Sequence, residues 1–132
     1  MNWLRTAILF GLGYFLVGRL FAVPGEHAHA WRLAAWVVSL LIYTTHFRIE
    51  RARPSTPPRV VASHVATAVA IGAFALAVAL TIRSIAAQGS LRMTWVLALV
   101  LFPLVTAVPA FLVALAAAIV AARRSRASGQ AS

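Results

Sequence analysis

Four apolar runs, each near the length of a membrane-crossing helix and separated by arginine or proline, constrain this chain more than any other feature. They cover residues 3–23, 30–47, 59–85 and 94–122. A helix needs about 20 mainly apolar residues to cross the hydrocarbon core. Within lipid only helices and closed barrels satisfy their own backbone polar groups, and the alternating pattern of barrel strands is absent. The expectation is an all-α membrane protein: a bundle of four transmembrane helices, formed as one unit by residues 1–132. The bulk numbers agree, because 62% of the chain is hydrophobic and the mean hydropathy is +0.89, whereas soluble domains are about half apolar.

The separators suit this division. Pro24-Gly25 ends the first run, the segment Pro54-Ser55-Thr56-Pro57-Pro58 cannot continue a helix, and Gln88-Gly89-Ser90 turns the chain before the fourth. Residues 125–132 are small and polar and read as a frayed tail. A cleavable leader competes for the first run, with Arg5 ahead of an apolar stretch and a cut after Ala22. Arg19 and the bulky Leu20 beside that cut favour an uncleaved span.

The formal charge of +10 comes from twelve arginines against Glu26 and Glu50, and in a soluble protein it would point to nucleic acid. Here the arginines flank the apolar runs, so anionic lipid headgroups are the expected partners and nucleic acid is not. Arg5, Arg48, Arg51, Arg53, Arg59, Arg123, Arg124 and Arg126 fall on one side, and Arg19, Arg32, Arg83 and Arg92 on the other. The positive-inside rule then places both termini in the cytoplasm of a multi-pass protein of the cell's inner membrane. Trp3 would mark the inner interface, and Trp31 and Trp95 the outer one.

Shifting the chain by 64 positions brings Arg19, Gly25 and Trp31 onto Arg83, Gly89 and Trp95. Two parallel repeated helical hairpins would give that register. Any outer loop tends to carry such residues, so composition alone is the competing account. Small residues at spacings of four and seven mark helix-packing seams: Gly11 and Gly18 in the first run, Ala68 and Gly72 in the third, with Ala62, Ala66 and Ala70 beside them. Such seams serve packing within one chain more often than dimers. Pro103 and Pro109 in the fourth run are expected to bend that helix.

In size and hydropathy the chain is similar to small four-helix multidrug transporters. Those carry a Glu in the first span, and here that span has no acidic residue, so the likeness stops at hydropathy. The polar residues with chemical potential lie elsewhere. His46 and Glu50 share a helix face by their i,i+4 spacing, and His64 reaches a similar depth across the Pro-rich turn. The plain reading makes them interfacial hydrogen-bonding groups: His46 with Glu50, and His64 bonding across helices. The alternatives are a metal or haem site on His46, Glu50 and His64, or a proton relay. Glu26, His27 and His29 form a second cluster, read first as a solvated connector. Arg48, Arg51, Arg53 and Arg59 set topology, with a further role in gripping anionic lipid or a partner.

No nucleophile–base pair or matched ligand set is visible, so no catalytic residue and no cofactor are expected. The leading functional expectation is a non-catalytic subunit, assembly factor or partner-binding component, alone as a homo-oligomer or within a larger membrane complex. A small oligomeric transporter or channel, using Ser39, Thr44, Thr67 and Thr106, is the first alternative. A redox or metal-binding subunit using His46 and His64 is the second.

Overall fold

In a computed structural model, which describes residues 2–22, 25–90 and 93–129, the chain forms four helices and, among those residues, no strand. These are α1 (Trp3–Leu20), α2 (Ala28–Arg51), α3 (Pro58–Gln88) and α4 (Met93–Gly129). Val23, Pro24, Leu91 and Arg92 lie outside the described residues, and so does the stretch 130–132.

The helix ends follow from local chemistry. Asn2 sits in an extended conformation before α1, and its side-chain oxygen accepts a hydrogen bond from the Leu4 amide at 3.3 Å, which satisfies a donor left over by the first turn. Pro58 opens α3, where a missing N–H costs nothing. Gly89 closes α3 with φ +70°, and its N–H donates to the Ile85 carbonyl at 2.8 Å. A side chain would be strained at that angle.

Two helices run past the expected spans. α2 continues to Arg51, because nothing in residues 48–51 stops a helix until Pro54 constrains its predecessor. α4 continues to Gly129, so residues 125–129 are helical and not a frayed tail. Those residues carry no proline, and Arg126 and Ala127 among them are good helix formers. The bend expected at Pro103 and Pro109 does not break α4, which is one helix of 37 residues through both prolines. Each proline removes a backbone donor. Nearby, the Thr106 hydroxyl donates to the carbonyls of Phe102 and Pro103 at 2.9 and 3.0 Å.

Three helices are long and apolar enough to cross a membrane: α1, α3 and α4. α2 has the length, at 24 residues, but Arg32 near its start and Thr44-Thr45-His46 near its end dilute its apolar character.

α3 is the centre of the bundle. It packs most extensively against α4, then against α1, while α2 lies more lightly on α1 and α3. The α1–α3 crossing is built on the four small residues marked by spacing. A β-carbon placed on Gly72 would lie 2.7 Å from the Gly11 carbonyl oxygen and 2.6 Å from the Tyr14 β-carbon. One on Gly11 would meet the Ile71 side chain at 2.7 Å and the Ala68 carbonyl at 3.1 Å, and one on Gly18 would meet Leu76 at 2.7 Å. The backbones therefore touch, which is how helices gain dispersion contact where lipid removes the hydrophobic drive. These residues meet within one chain. Nearer the start of α3, Ala62 and Val65 pack with Ala114 of α4, bordered by Tyr43, Phe47, Phe111 and Leu115. Tyr43 adds a bond between α2 and α4, its hydroxyl donating to the Ala110 carbonyl at 2.7 Å.

The two hairpins are thus packed unequally: α3 and α4 are intimate, α1 and α2 are not. The outer flank of α4 stays open, with Leu101, Leu104, Val105, Val108, Leu112 and Val113 all more than half exposed.

Candidate functional site

The two bulkiest fully buried side chains are polar ones, His46 and Glu50. They sit where the start of α1, the end of α2 and the start of α3 come together. The extra turn of α2 is what carries Glu50 there. A second helix ending at residue 47, as its apolar run does, would leave Glu50 beyond the helix. In the fold the Glu50 side chain is completely buried. The hydropathy of α2 cannot report the neighbours that close over its last turn.

Glu50 joins three segments. Its Oε2 lies 2.6 Å from His64 Nδ1 on α3. Its Oε1 lies 2.9 Å from Arg53 Nη2, an ion pair that is close but not aligned as a hydrogen bond. The same guanidinium donates to the Thr6 hydroxyl at 3.2 Å, and that hydroxyl donates to the Asn2 carbonyl at 3.4 Å. Trp3 stacks on the His64 ring, with centroids 4.5 Å apart and planes 5° from parallel. A buried carboxylate without partners would be prohibitively costly, so α1 and α3 are held where they can serve it.

His46 behaves differently. Its Nε2 is 3.8 Å from Glu50 Oε1, too far for a hydrogen bond. Both ring nitrogens are buried without a partner. Its ring stacks on Phe10 of α1 at 4.4 Å and 6°. The expected His46–Glu50 bond is therefore absent, and His64 takes that role.

The three residues weighed as metal ligands converge, but as a closed ion-pair cluster. The direct contact between His64 and Glu50 leaves no room for an ion bonded to both, and Arg53 places a positive charge on the other oxygen. Among the described residues no group of three His, Asp or Glu side chains is arranged to hold a metal. Glu26, His27 and His29 are exposed at the opposite end of the bundle.

The arginines of the α2–α3 connection divide. Arg48 and Arg59 are exposed and Arg51 is half-buried, whereas Arg53 turns inward to Glu50 and Thr6. Of the four hydroxyls weighed as a transport path, the three threonines bond to their own helices, Thr44 to Leu40, Thr67 to Ser63 and Thr106 to Phe102, whereas Ser39 makes no such bond among the described residues. Such back-bonding leaves little donor capacity for a substrate. Two clefts open elsewhere, one of about 460 Å³ between the end of α1 and the start of α2, the other of about 200 Å³ between α3 and α4 beside Trp95. Neither is lined by a residue of the Glu50 cluster.

Sequence reasoning missed Thr6, Trp3 as a ring partner, and Phe10. The signal available for Thr6 was a lone hydroxyl one turn inside α1 at the depth of the arginine loop, which is weak because threonines commonly bond their own backbone.

Fold and cluster together define a helical bundle with candidate membrane-spanning helices, tied at one end by a buried ion pair. Comparison with protein-family models, with curated proteins and with solved structures finds no match.

Proposed function

We propose that this chain is a non-catalytic subunit or assembly component of the inner membrane, crossing it four times with both termini in the cytoplasm. The observation that carries the reading is the open apolar flank of α4. None of the most apolar 18-residue stretch of that helix is buried, although α3 packs along it. The remainder of the molecule is consistent with a role in binding and not in chemistry. His64, Glu50 and Arg53 are spent on a closed cluster away from either cleft, and the Thr44, Thr67 and Thr106 hydroxyls bond within their own helices.

α2 crosses as the fourth span, its length of 24 residues corresponding to about 36 Å. Among the described side chains the ends of the bundle differ in charge: Arg5, Arg48, Arg51, Arg53, Arg59, Arg123 and Arg124 belong to one, Arg19, Arg32 and Arg83 to the other. The first is the cytoplasmic end by the positive-inside rule, where Arg48 and Arg59 face anionic lipid. A duplicated hairpin is not needed for this reading, given the unequal packing of the two hairpins.

The chain contains no cysteine, so single cysteines at Leu104, Val108 and Leu112 can be spin-labelled. Their exposure to a lipid-phase relaxing agent is compared in native membranes and after purification and reconstitution alone. Shielding in native membranes that is lost on isolation is expected of a subunit, and shielding in both settings supports self-association. Full exposure in both settings overturns the proposal.

A further inference from the structure

Arg32 stands in the cleft between α1 and α2, at the end of the bundle opposite Glu50. Val17, Gly18, Phe21, Ala35 and Trp36 line the cleft with it. The volume of about 460 Å³ falls within the range of small-molecule sites, about 300–1,000 Å³. Arg32 is exposed and makes no hydrogen bond or ion pair with any described residue. The cleft lining supplies no acidic group to answer its charge.

We infer that this cleft binds one phospholipid of the surrounding leaflet, the Arg32 guanidinium holding the phosphate. Three observations fix the occupant. The cleft carries a single charge, positive and planar, suited to two parallel bonds with phosphate oxygens. Beneath that charge the lining is apolar: Trp36 lies one turn further along the same face of α2, and Val17 and Ala35 share the lining with it. Phosphate above and acyl chain below is the order in which a phospholipid presents itself. The mouth of the cleft is also marked as interfacial, because Phe21 packs edge-on against Trp31 with ring centroids 5.7 Å apart, and aromatic rings concentrate at headgroup level. Arg19, also exposed and unpaired, lies nearby on α1 but outside the cleft lining.

The inference needs only that the bundle sits in lipid, and does not depend on the role proposed for α4. The test is native mass spectrometry of the full chain, released from bilayers that contain either phosphatidylglycerol or a phosphate-free diacyl glycolipid of equal chain length. Phosphatidylglycerol is retained as a one-to-one adduct, and the glycolipid at least about tenfold less, the scale of losing one charged hydrogen-bonded contact. Arg32→Gln lowers retention by about tenfold. Ala35→Phe, which fills the cleft and keeps the charge, abolishes it. Arg19→Gln retains lipid within about twofold, as expected for a screened surface charge. Helix content by circular dichroism accompanies each variant. Equal retention of the two lipids by the unaltered chain overturns the inference, as does undiminished retention by Arg32→Gln. An equal loss with Arg19→Gln also overturns it, because diffuse charge would then account for binding.

Discussion

Placing an alanine at each glycine of the α1–α3 region offers the same chemical change against different neighbours. At Gly72 the new methyl would lie 2.7 Å from the Gly11 carbonyl oxygen and 2.6 Å from the Tyr14 β-carbon, where ordinary contact begins at 3.4 Å. Neither neighbour can rotate away, so α1 must retreat by about 0.7–0.8 Å along a seam whose value is its closeness. Overpacking of this kind costs about 1–3 kcal/mol, offset by up to about 1 kcal/mol from the better helix propensity of alanine. The net loss is about 1–2 kcal/mol. At Gly13 the methyl meets only Ile42 at 3.5 Å, an ordinary contact, so Gly13→Ala is stabilising by about 0.5–1 kcal/mol. Gly18→Ala falls between, because the obstacle is the end of the Leu76 side chain at 2.7 Å, which can turn aside. The extremes differ by about 2 kcal/mol, or roughly thirtyfold in the folding equilibrium. Reversible unfolding in mixed micelles with a rising fraction of denaturing detergent, followed by circular dichroism, measures this order. Equal midpoints for Gly72→Ala and Gly13→Ala would refute the backbone-contact account of the crossing.

The same titration tests the polar cluster. Glu50→Ala leaves His64 without its carboxylate partner and the partly buried Arg53 without its counter-charge, and destabilises by about 3 kcal/mol, part of it recovered in the double variant with Arg53→Ala. If the single change costs less than about 1 kcal/mol, the cluster does not hold the helix ends together. His46→Phe is neutral or stabilising by up to about 1 kcal/mol, because it removes two unpartnered buried nitrogens and keeps the stack on Phe10. A loss above about 1.5 kcal/mol would show that the ring nitrogens have partners, such as bound water. Tyr43→Phe costs about 0.5–1 kcal/mol through the lost bond to Ala110, and no loss would mean the hydroxyl finds equal company elsewhere.

The long elements were legible in the sequence because their apolar runs have the length a membrane crossing requires and because proline and glycine mark their ends. The glycine seam was legible for a related reason. Spacing of four puts Ala68 and Gly72 on one face, and only small residues permit the approach. The depth of Glu50 was not legible. Hydropathy reads each helix against its solvent, and Glu50 is buried by neighbours from two other helices, with Thr6 reached only through the arginine between them. The convergence of His46 and His64 with Glu50 followed from equal depth across a turn, but which histidine bonds the carboxylate depends on rotations that spacing leaves free. The length of α4 was underestimated because the apolar run stops before the helix does. Backbone hydrogen bonding continues through Arg123 and Arg124, since neither residue opposes it.

The pairing of α1 with α3 has a consequence for biosynthesis. Helices adjacent in the chain are the first to meet, yet α1 and α2 touch little. Gly11 must wait for Gly72, made 61 residues later, which at about 5–20 residues per second is roughly 3–12 s. Through that interval α2 has neither His64 for its buried glutamate nor Ala110 for its tyrosine. A nascent chain stalled before α3 would hold α1 and α2 on their light mutual contact alone, and would be exposed to whatever quality control surveys such intermediates. The arrival of α3 is therefore the committing step in assembly, and lesions that delay it should be felt as lost protein before they are felt as lost function.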